Sequence, residues 1–304
     1  MLNIPELIDE AKARKIKTYP VHANRASEIG HPCLRYLVFQ RTRWQDKQPH
    51  DVGLQRVFDL GNIYETAVLN DFRDAGLTIE EQQVSYSDPK YKLTGHIDGK
   101  LPMNGRRYPI EIKSMSPFIW DKIHDPADLS QSRHPWVRGY VYQMQSYLFL
   151  HEEETGLLFL INKVSGEIKQ LEISLDYALC EAILQKCETI NNHVEGSSIP
   201  DPIPWDEGIC GRCGYLNICQ PDRDYGEGLE IIDDAELEAM LDRRETLAPS
   251  AREYQEVDKA IKAKAKGHQH LVVGAWEVIG KNVARKGYTV PDTEYWQVAI
   301  RRRK

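Results

Sequence analysis

The sequence predicts an α/β fold, on three observations. An Asn104-Gly105 turn sits between strand-like runs in KLTGHIDGKLPMNGRRYPIEIKSM. A second strand pair flanks Gly166 in GLLFLINKVSGEIKQLEISL. Helical runs stand around them, in FDLGNIYETAVLNDF, in YVYQMQSYLFL and over residues 176–195.

The elements follow in chain order. A helical N-terminal segment carries Cys33 at its mouth, in SEIGHPCLRYLVF. The next helix carries Gly61, Tyr64 and Glu65. In the hairpin, an Asn-Gly turn at 104–105 pairs residues whose numbers sum to 209, which sets Asp98 opposite Glu111. Alternation then puts Ile110 and Ile112 on the core face, and Glu111 and Lys113 on the other. Pro102 and Pro109 cannot donate to a ladder, so the hairpin is expected to be irregular or at an edge near them. Gln143 and Tyr147 share one helix face at i and i+4. Cys180 and Cys187 lie with Leu179, Ile183, Leu184 and Ile190 at helical spacing, so they are expected to face a core.

At 304 residues, the chain has room for one large domain or two smaller ones. With 41% hydrophobic and 28% charged residues, the composition excludes collagen-like, low-complexity and largely disordered classes. No run approaches the ~18 apolar residues of a membrane helix. The opening MLNIPELIDEAKARK lacks a secretory apolar stretch, so the expected location is the cytoplasm. The net charge of −7 argues against a generic nucleic-acid binder, but the charge is segregated. Residues 259–304 carry +8, and residues 12–43 hold eight basic groups against Glu28 alone. Two basic ends around an acidic middle can attract a polyanion locally.

Three of the six cysteines form Cys210-x2-Cys213-x5-Cys219. Thiolates this dense in a short loop converge on a metal rather than on one another. Cys33 is the natural fourth ligand. Four thiolates suit zinc or an iron–sulfur cluster by spacing alone; the single C-x2-C knuckle tilts toward the cluster. A bond from residue 33 to the 210–219 loop would staple the two ends of the domain.

Like charges set opposite in a hairpin are destabilising unless a cation lies between them. Asp98 and Glu111 therefore form a candidate hard-cation site for Mg²⁺ or Mn²⁺, with Lys113 beside it to hold water or stabilise charge on phosphorus. Glu65 is a candidate third carboxylate. Gln143 and Tyr147 are candidates to contact a base or backbone beside the metal.

The ordered set Cys33 and Arg35, Gly61-x-x-Tyr64-Glu65, Gly95-x-x-Asp98, Glu111-x-Lys113, Gln143-x-x-x-Tyr147 and the three-cysteine loop resembles the PD-(D/E)xK nuclease superfamily over residues 25–222. It is similar to the iron–sulfur branch, the RecB/AddB-type and CRISPR-associated exonucleases. The resemblance implies a restriction-endonuclease-like core, a central mixed sheet flanked by helices. It implies a 4Fe-4S cluster at Cys33, Cys210, Cys213 and Cys219 with a structural role, and a divalent metal at Asp98 and Glu111. Lys113 takes the place of the catalytic lysine, Gln143 and Tyr147 that of the helix motif packed on the site, and Arg35 and Tyr147 are expected to meet DNA. Where the family commonly has a metal-binding histidine, this chain has Tyr64, a poor ligand, with Glu65 as the substitute.

Beyond a nuclease domain at 1–225, residues 226–304 read as an extension similar to those of phage-encoded nucleases. It comprises a charged helical stretch that Pro249 breaks or kinks, then short strands. There Trp276, Tyr288, Tyr295 and Trp296 interleave with Lys281, Arg285, Lys286 and Arg301 to Arg303. Stacking plus phosphate contact would suit single-stranded DNA, although strand aromatics more often face a core. The expected function is a Mg²⁺- or Mn²⁺-dependent DNA exonuclease acting on single strands or ends, in recombination, repair or processing. The alternatives are an endonuclease with the same site and a non-catalytic DNA-binding or assembly module.

Overall fold

The computed structural model describes residues 3–221, 234–281 and 283. In chain order the elements are α1 (Ile4–Ala13), β1 (Asn24–Arg25), α2 (Leu34–Thr42), a 3₁₀ turn (Trp44–Asp46), α3 (Val52–Asp74), β2 (Ser85–Asp88), β3 (Leu93–His96), β4 (Gly99–Met103), β5 (Arg106–Met115), α4 (Pro117–Trp120), α5 (Pro126–Gln131), α6 (Pro135–His151), β6 (Thr155–Asn162), β7 (Ile168–Ser174), α7 (Tyr177–Glu195), α8 (Glu207–Cys210), α9 (Leu216–Cys219), α10 (Ala235–Ala265), β8 (His270–Val273) and β9 (Trp276–Ile279). The chain divides into two compact units, with the boundary after Leu237. The 225/226 division expected from the sequence lies outside the described residues.

The first unit is built on a mixed sheet in the order β4-β5-β6-β7. The β4–β5 hairpin is antiparallel, with Gly99 opposite Ile110 and Met103 opposite Arg106, the register set by the Asn104-Gly105 turn. Both turn residues have positive φ, as a tight primed turn requires. Pro102 lies on the edge strand, and Pro109 sits one residue before β5 begins to pair with β6 at Ile110. Neither proline removes an interior ladder bond.

Strands β5 and β6 are parallel, and α4 to α6 form the crossover between them. Those helices cover one face of the sheet, through Ile119, Leu129, Val137, Met144 and Leu148 packed on Leu158, Leu160, Leu171 and Ile173. Helix α3 covers the other, with Val68 and Phe72 against Leu101, Ile110, Ile112, Leu157, Phe159 and Ile161. With both faces covered, β6 is apolar from Gly156 to Ile161, the pattern of a strand buried on both sides.

A smaller sheet, β1-β3-β2, adjoins a third core. There α2 and α7 meet through Leu37, Val38, Ile183, Cys187 and Ile190. Cys180 and Cys187 are both buried, as their helical spacing led one to expect.

In the second unit, β8 and β9 form a hairpin whose turn residue Gly274 has φ +58°. The charged helical stretch is one continuous helix, α10, with Pro249 inside it. It is not a helical hairpin. Proline removes one backbone donor, and the strong helix formers on either side carry the helix through that loss. Trp276 is 78% exposed, so it faces solvent rather than a core. Tyr288, Tyr295, Trp296, Arg285, Lys286 and Arg301 to Arg303 lie outside the described residues. Among the described residues, no helix is long and apolar enough to cross a membrane.

Candidate active site

The β4–β5 register brings two buried carboxylates to one end of the hairpin. Asp98, immediately before β4, is 8% exposed, and Glu111 on β5 is 3% exposed. Asp98 Oδ2 accepts from the Ile112 backbone N–H at 2.7 Å. Since Ile110 and Ile112 turn into the α3 core, Glu111 turns to the α6 side. Burial, then Glu111 and Glu65, push the Asp98 carboxyl up to about 8; Lys113 and the Ile112 N–H only partly offset this. Burial likewise raises Glu111 above the usual carboxylate range, against the pull of Lys113.

Lys113 reaches back along β5 to place Nζ 2.5 Å from Glu111 Oε1. Burial lowers its pKa, but Glu111 and Tyr140 outweigh that, so the ammonium is held above its ordinary value.

Helix α6 supplies the other wall. Gln143 Nε2 donates to Glu111 Oε1 at 2.8 Å and to the Tyr147 hydroxyl at 2.6 Å. Tyr147 Oη donates in turn to the His96 carbonyl at 2.6 Å. The helix motif is thus one hydrogen-bonded chain from the sheet end to Glu111. Tyr147 is only 2% exposed, so its contacts are with the sheet and Gln143 rather than with DNA. Gly95 explains itself here: a Cβ on it would lie 2.7 Å from Tyr147 Cε1 and 3.0 Å from Ala26 Cβ.

Glu65, on α3, joins the same cluster. Its Oε1 accepts from Gln83 Nε2 at 2.7 Å, and the same nitrogen reaches Asp98 Oδ1 at 3.2 Å. Gln83 has φ +54°, an uncommon conformation for a non-glycine residue. Sequence reasoning missed it, because the EEQQ loop carries no periodicity and no motif. Tyr64 points elsewhere: its hydroxyl donates to the Lys163 carbonyl at 2.5 Å and its ring packs on the α3 core.

The cysteine loop docks on α2. Cys33 is the N-cap of α2, Cys210 ends α8 and Cys219 ends α9. Burial raises the Cys210 and Cys213 thiols, and each is within electrostatic reach of Cys33 and Cys219. Arg35 belongs to this cluster and not to the carboxylates. Its Nε donates to the Pro200 carbonyl at 2.7 Å, and Nη1 lies 3.6 Å from Cys219 Sγ. Tyr215 anchors the loop, fully buried against Tyr36 and Phe39. The Gln48 N–H bonds the Gly214 carbonyl at 2.7 Å, and a Cβ on Gly214 would lie 3.0 Å from the Gln48 carbonyl.

Among the described residues, no three His, Cys, Asp or Glu side chains are gathered tightly enough to form a metal-ligand group. The carboxylate cluster nevertheless suits a hard divalent cation. Its donors are oxygens, and among the described residues Glu111 Oε2 is buried without a hydrogen-bond partner. The four thiols suit a soft metal by donor type, without forming a closed coordination set.

No protein-family model and no curated protein matches the chain. Solved structures of similar backbone include SSO0001, at 16% identity over 72% of this chain and 97% of that one, TM-score 0.44. An alkaline exonuclease from Laribacter hongkongensis matches at 17% identity over 58% of this chain and 89% of its own, TM-score 0.41. A phage-related exonuclease from Haemophilus somnus 129PT matches at 16% identity over 59% and 96%, TM-score 0.35. These likenesses are of coarse backbone shape, and the chemistry of the site stands on its own residues.

Proposed function

We propose that this chain is a metal-dependent nuclease that hydrolyses phosphodiester bonds of DNA, acting as an exonuclease on single strands or ends. The observation that carries the reading is the pairing of buried Asp98 and Glu111, one oxygen of which lacks a partner, with Lys113 beside them. Two carboxylates pressed together without a cation are costly, and a divalent ion removes that cost.

Asp98 and Glu111 would hold Mg²⁺ or Mn²⁺, with Glu65 as a further carboxylate. Bound there, the ion would supply Lewis acidity toward a phosphoryl oxygen and acidify water. The chain's own groups do the remaining work. Lys113, a donor held at Glu111, can turn an N–H to the attacking water or to the charge that develops on phosphorus. Gln143 fixes the Glu111 carboxylate, and Tyr147 fixes Gln143 through the His96 carbonyl. Gln83 spans Glu65 and Asp98 and keeps their oxygens facing one another.

The cysteine cluster is read as the seat of a 4Fe-4S cluster that ties Cys33 to the 210–219 loop, a structural role. The Cys-x2-Cys-x5-Cys spacing, with Cys33 at the mouth of α2, supports this, and zinc is the rival occupant. Protein purified without oxygen would show a broad visible absorption band and bound iron on this reading, and a colourless zinc protein would overturn it. Residues 1–225 would then be the nuclease domain and 226–304 its extension.

The test of the activity is digestion of end-labelled linear and circular single-stranded DNA with Mg²⁺ or Mn²⁺. Loss of linear DNA alone supports an exonuclease, and cleavage of the circle an endonuclease. No cleavage by wild-type protein in either metal overturns the enzyme reading in favour of a binding module.

A further inference from the structure

One stripe of α6 runs beyond the site. Trp136, Tyr140, Gln143 and Tyr147 follow at i, i+4, i+7 and i+11, so they share one helix face. The inner two hold Glu111 and the sheet end. The outer two form a ring ladder that leads from solvent to Lys113. The Trp136 and Tyr140 rings meet edge to face, at 68° with centroids 5.8 Å apart, so Tyr140 braces the indole, and Lys113 Nζ lies 5.4 Å from the Tyr140 ring.

Packing against His134 and Tyr140 leaves part of the Trp136 indole open. Its neighbour Val137 is fully buried in the sheet core, whereas the indole is 37% exposed. An exposed indole beside a half-buried tyrosine is a surface that a flat apolar ring can cover. Phosphodiester chemistry at Lys113 would bring such a ring, the base of the adjoining nucleotide. A base inside a duplex has no free face, so the ladder suits an unpaired base.

We propose that Trp136, braced edge-on by Tyr140, forms a stacking platform for the unpaired base next to the scissile phosphate. The platform makes single-stranded DNA, or a frayed end, the substrate class of this site. The inference rests on the nuclease reading for which phosphate is cut, while stacking itself is separable from cleavage.

The test uses the full chain with Trp136→Ala and Trp136→Phe. In Ca²⁺, which supports binding and not cleavage, each is titrated with a thymidine 20-mer and with a fully abasic strand of equal charge. The expected result is about tenfold weaker binding of the 20-mer by Trp136→Ala, as for loss of one stacking partner, with Trp136→Phe retaining most of the affinity. The abasic strand should bind all three proteins equally. In Mn²⁺, 20-mers with a single abasic residue at successive positions should reveal one position that slows wild type and leaves Trp136→Ala unaffected.

Equal binding of the 20-mer by wild type and Trp136→Ala would overturn the platform. So would an equal loss by Trp136→Ala on the abasic strand. Base-dependent binding through Trp136 without cleavage in any metal would sink the nuclease reading and leave the platform standing.

Discussion

Gln143 Nε2 donates to Glu111 Oε1 at 2.8 Å, so a helix side chain fixes a carboxylate on the strand beneath it. Glu111 is almost wholly buried and one of its oxygens already lacks a partner. Gln143→Ala would take one donor from the other oxygen, which Lys113 also holds. The expected cost is about 1–3 kcal/mol in the metal-free protein, the penalty for a buried acceptor that loses its donor. Urea unfolding in the presence of a chelator measures it, and an unchanged midpoint would refute the role given to Gln143.

The same logic runs through Gly95. A methyl there would press on the Tyr147 ring at 2.7 Å. Gly95→Ala is expected to cost about 1–3 kcal/mol as an overpacked site, and to lower the cleavage rate although it touches no carboxylate. A variant that folds with full stability and full activity would show that the Tyr147 position tolerates displacement.

Gln83 offers a test at the other side of the cluster. Its amide holds Glu65 and Asp98 at 2.7 and 3.2 Å from an exposed loop. Gln83→Ala should unfold within ~0.5 kcal/mol of wild type, as exposed substitutions do. It should bind Mn²⁺ about tenfold more weakly, the lower end of the effect of outer-shell partners. Calorimetric titration reads the second quantity, and undiminished Mn²⁺ affinity would remove Gln83 from the site.

A pH dependence follows from Asp98. Burial and its carboxylate neighbours hold it up to about 8, against ~3.9 in an unfolded chain. Between those values the folded chain keeps a proton that the unfolded chain has released, so this group's contribution falls as pH rises. Metal-free wild type should therefore lose more stability from about pH 5 to about pH 8 than Asp98→Asn does. Added Mn²⁺, which needs deprotonated ligands, should stabilise wild type more at the upper pH than at the lower. Parallel pH profiles for the two proteins would contradict this.

Much of this arrangement was legible in the sequence for local reasons. The Asn104-Gly105 turn has only one hairpin register at a sum of 209, and that register alone sets Asp98 near Glu111. Side-chain alternation then settled which face Glu111 takes, because Ile110 and Ile112 had to be buried. Gln83, by contrast, sits in a loop whose path is fixed by tertiary contacts, so no periodicity announced it. Arg35 and Tyr215 are similar cases. Each is defined by a partner about 180 residues away in sequence, at Cys219 and Gln40 respectively, and single-chain patterns do not report such pairings. At Pro249 the sequence left a hairpin or a bent helix open, and the helix formers around it carry the chain through as one helix.

The most direct test of the central claim is the single-turnover rate of single-stranded DNA cleavage at saturating Mn²⁺, for wild type and for Lys113→Ala, with DNA affinity measured alongside. The expected result is a fall of at least about 10²–10³-fold in rate, as for loss of one donor to developing charge, with affinity little changed. Equal rates in the two proteins would contradict a catalytic centre at Asp98, Glu111 and Lys113.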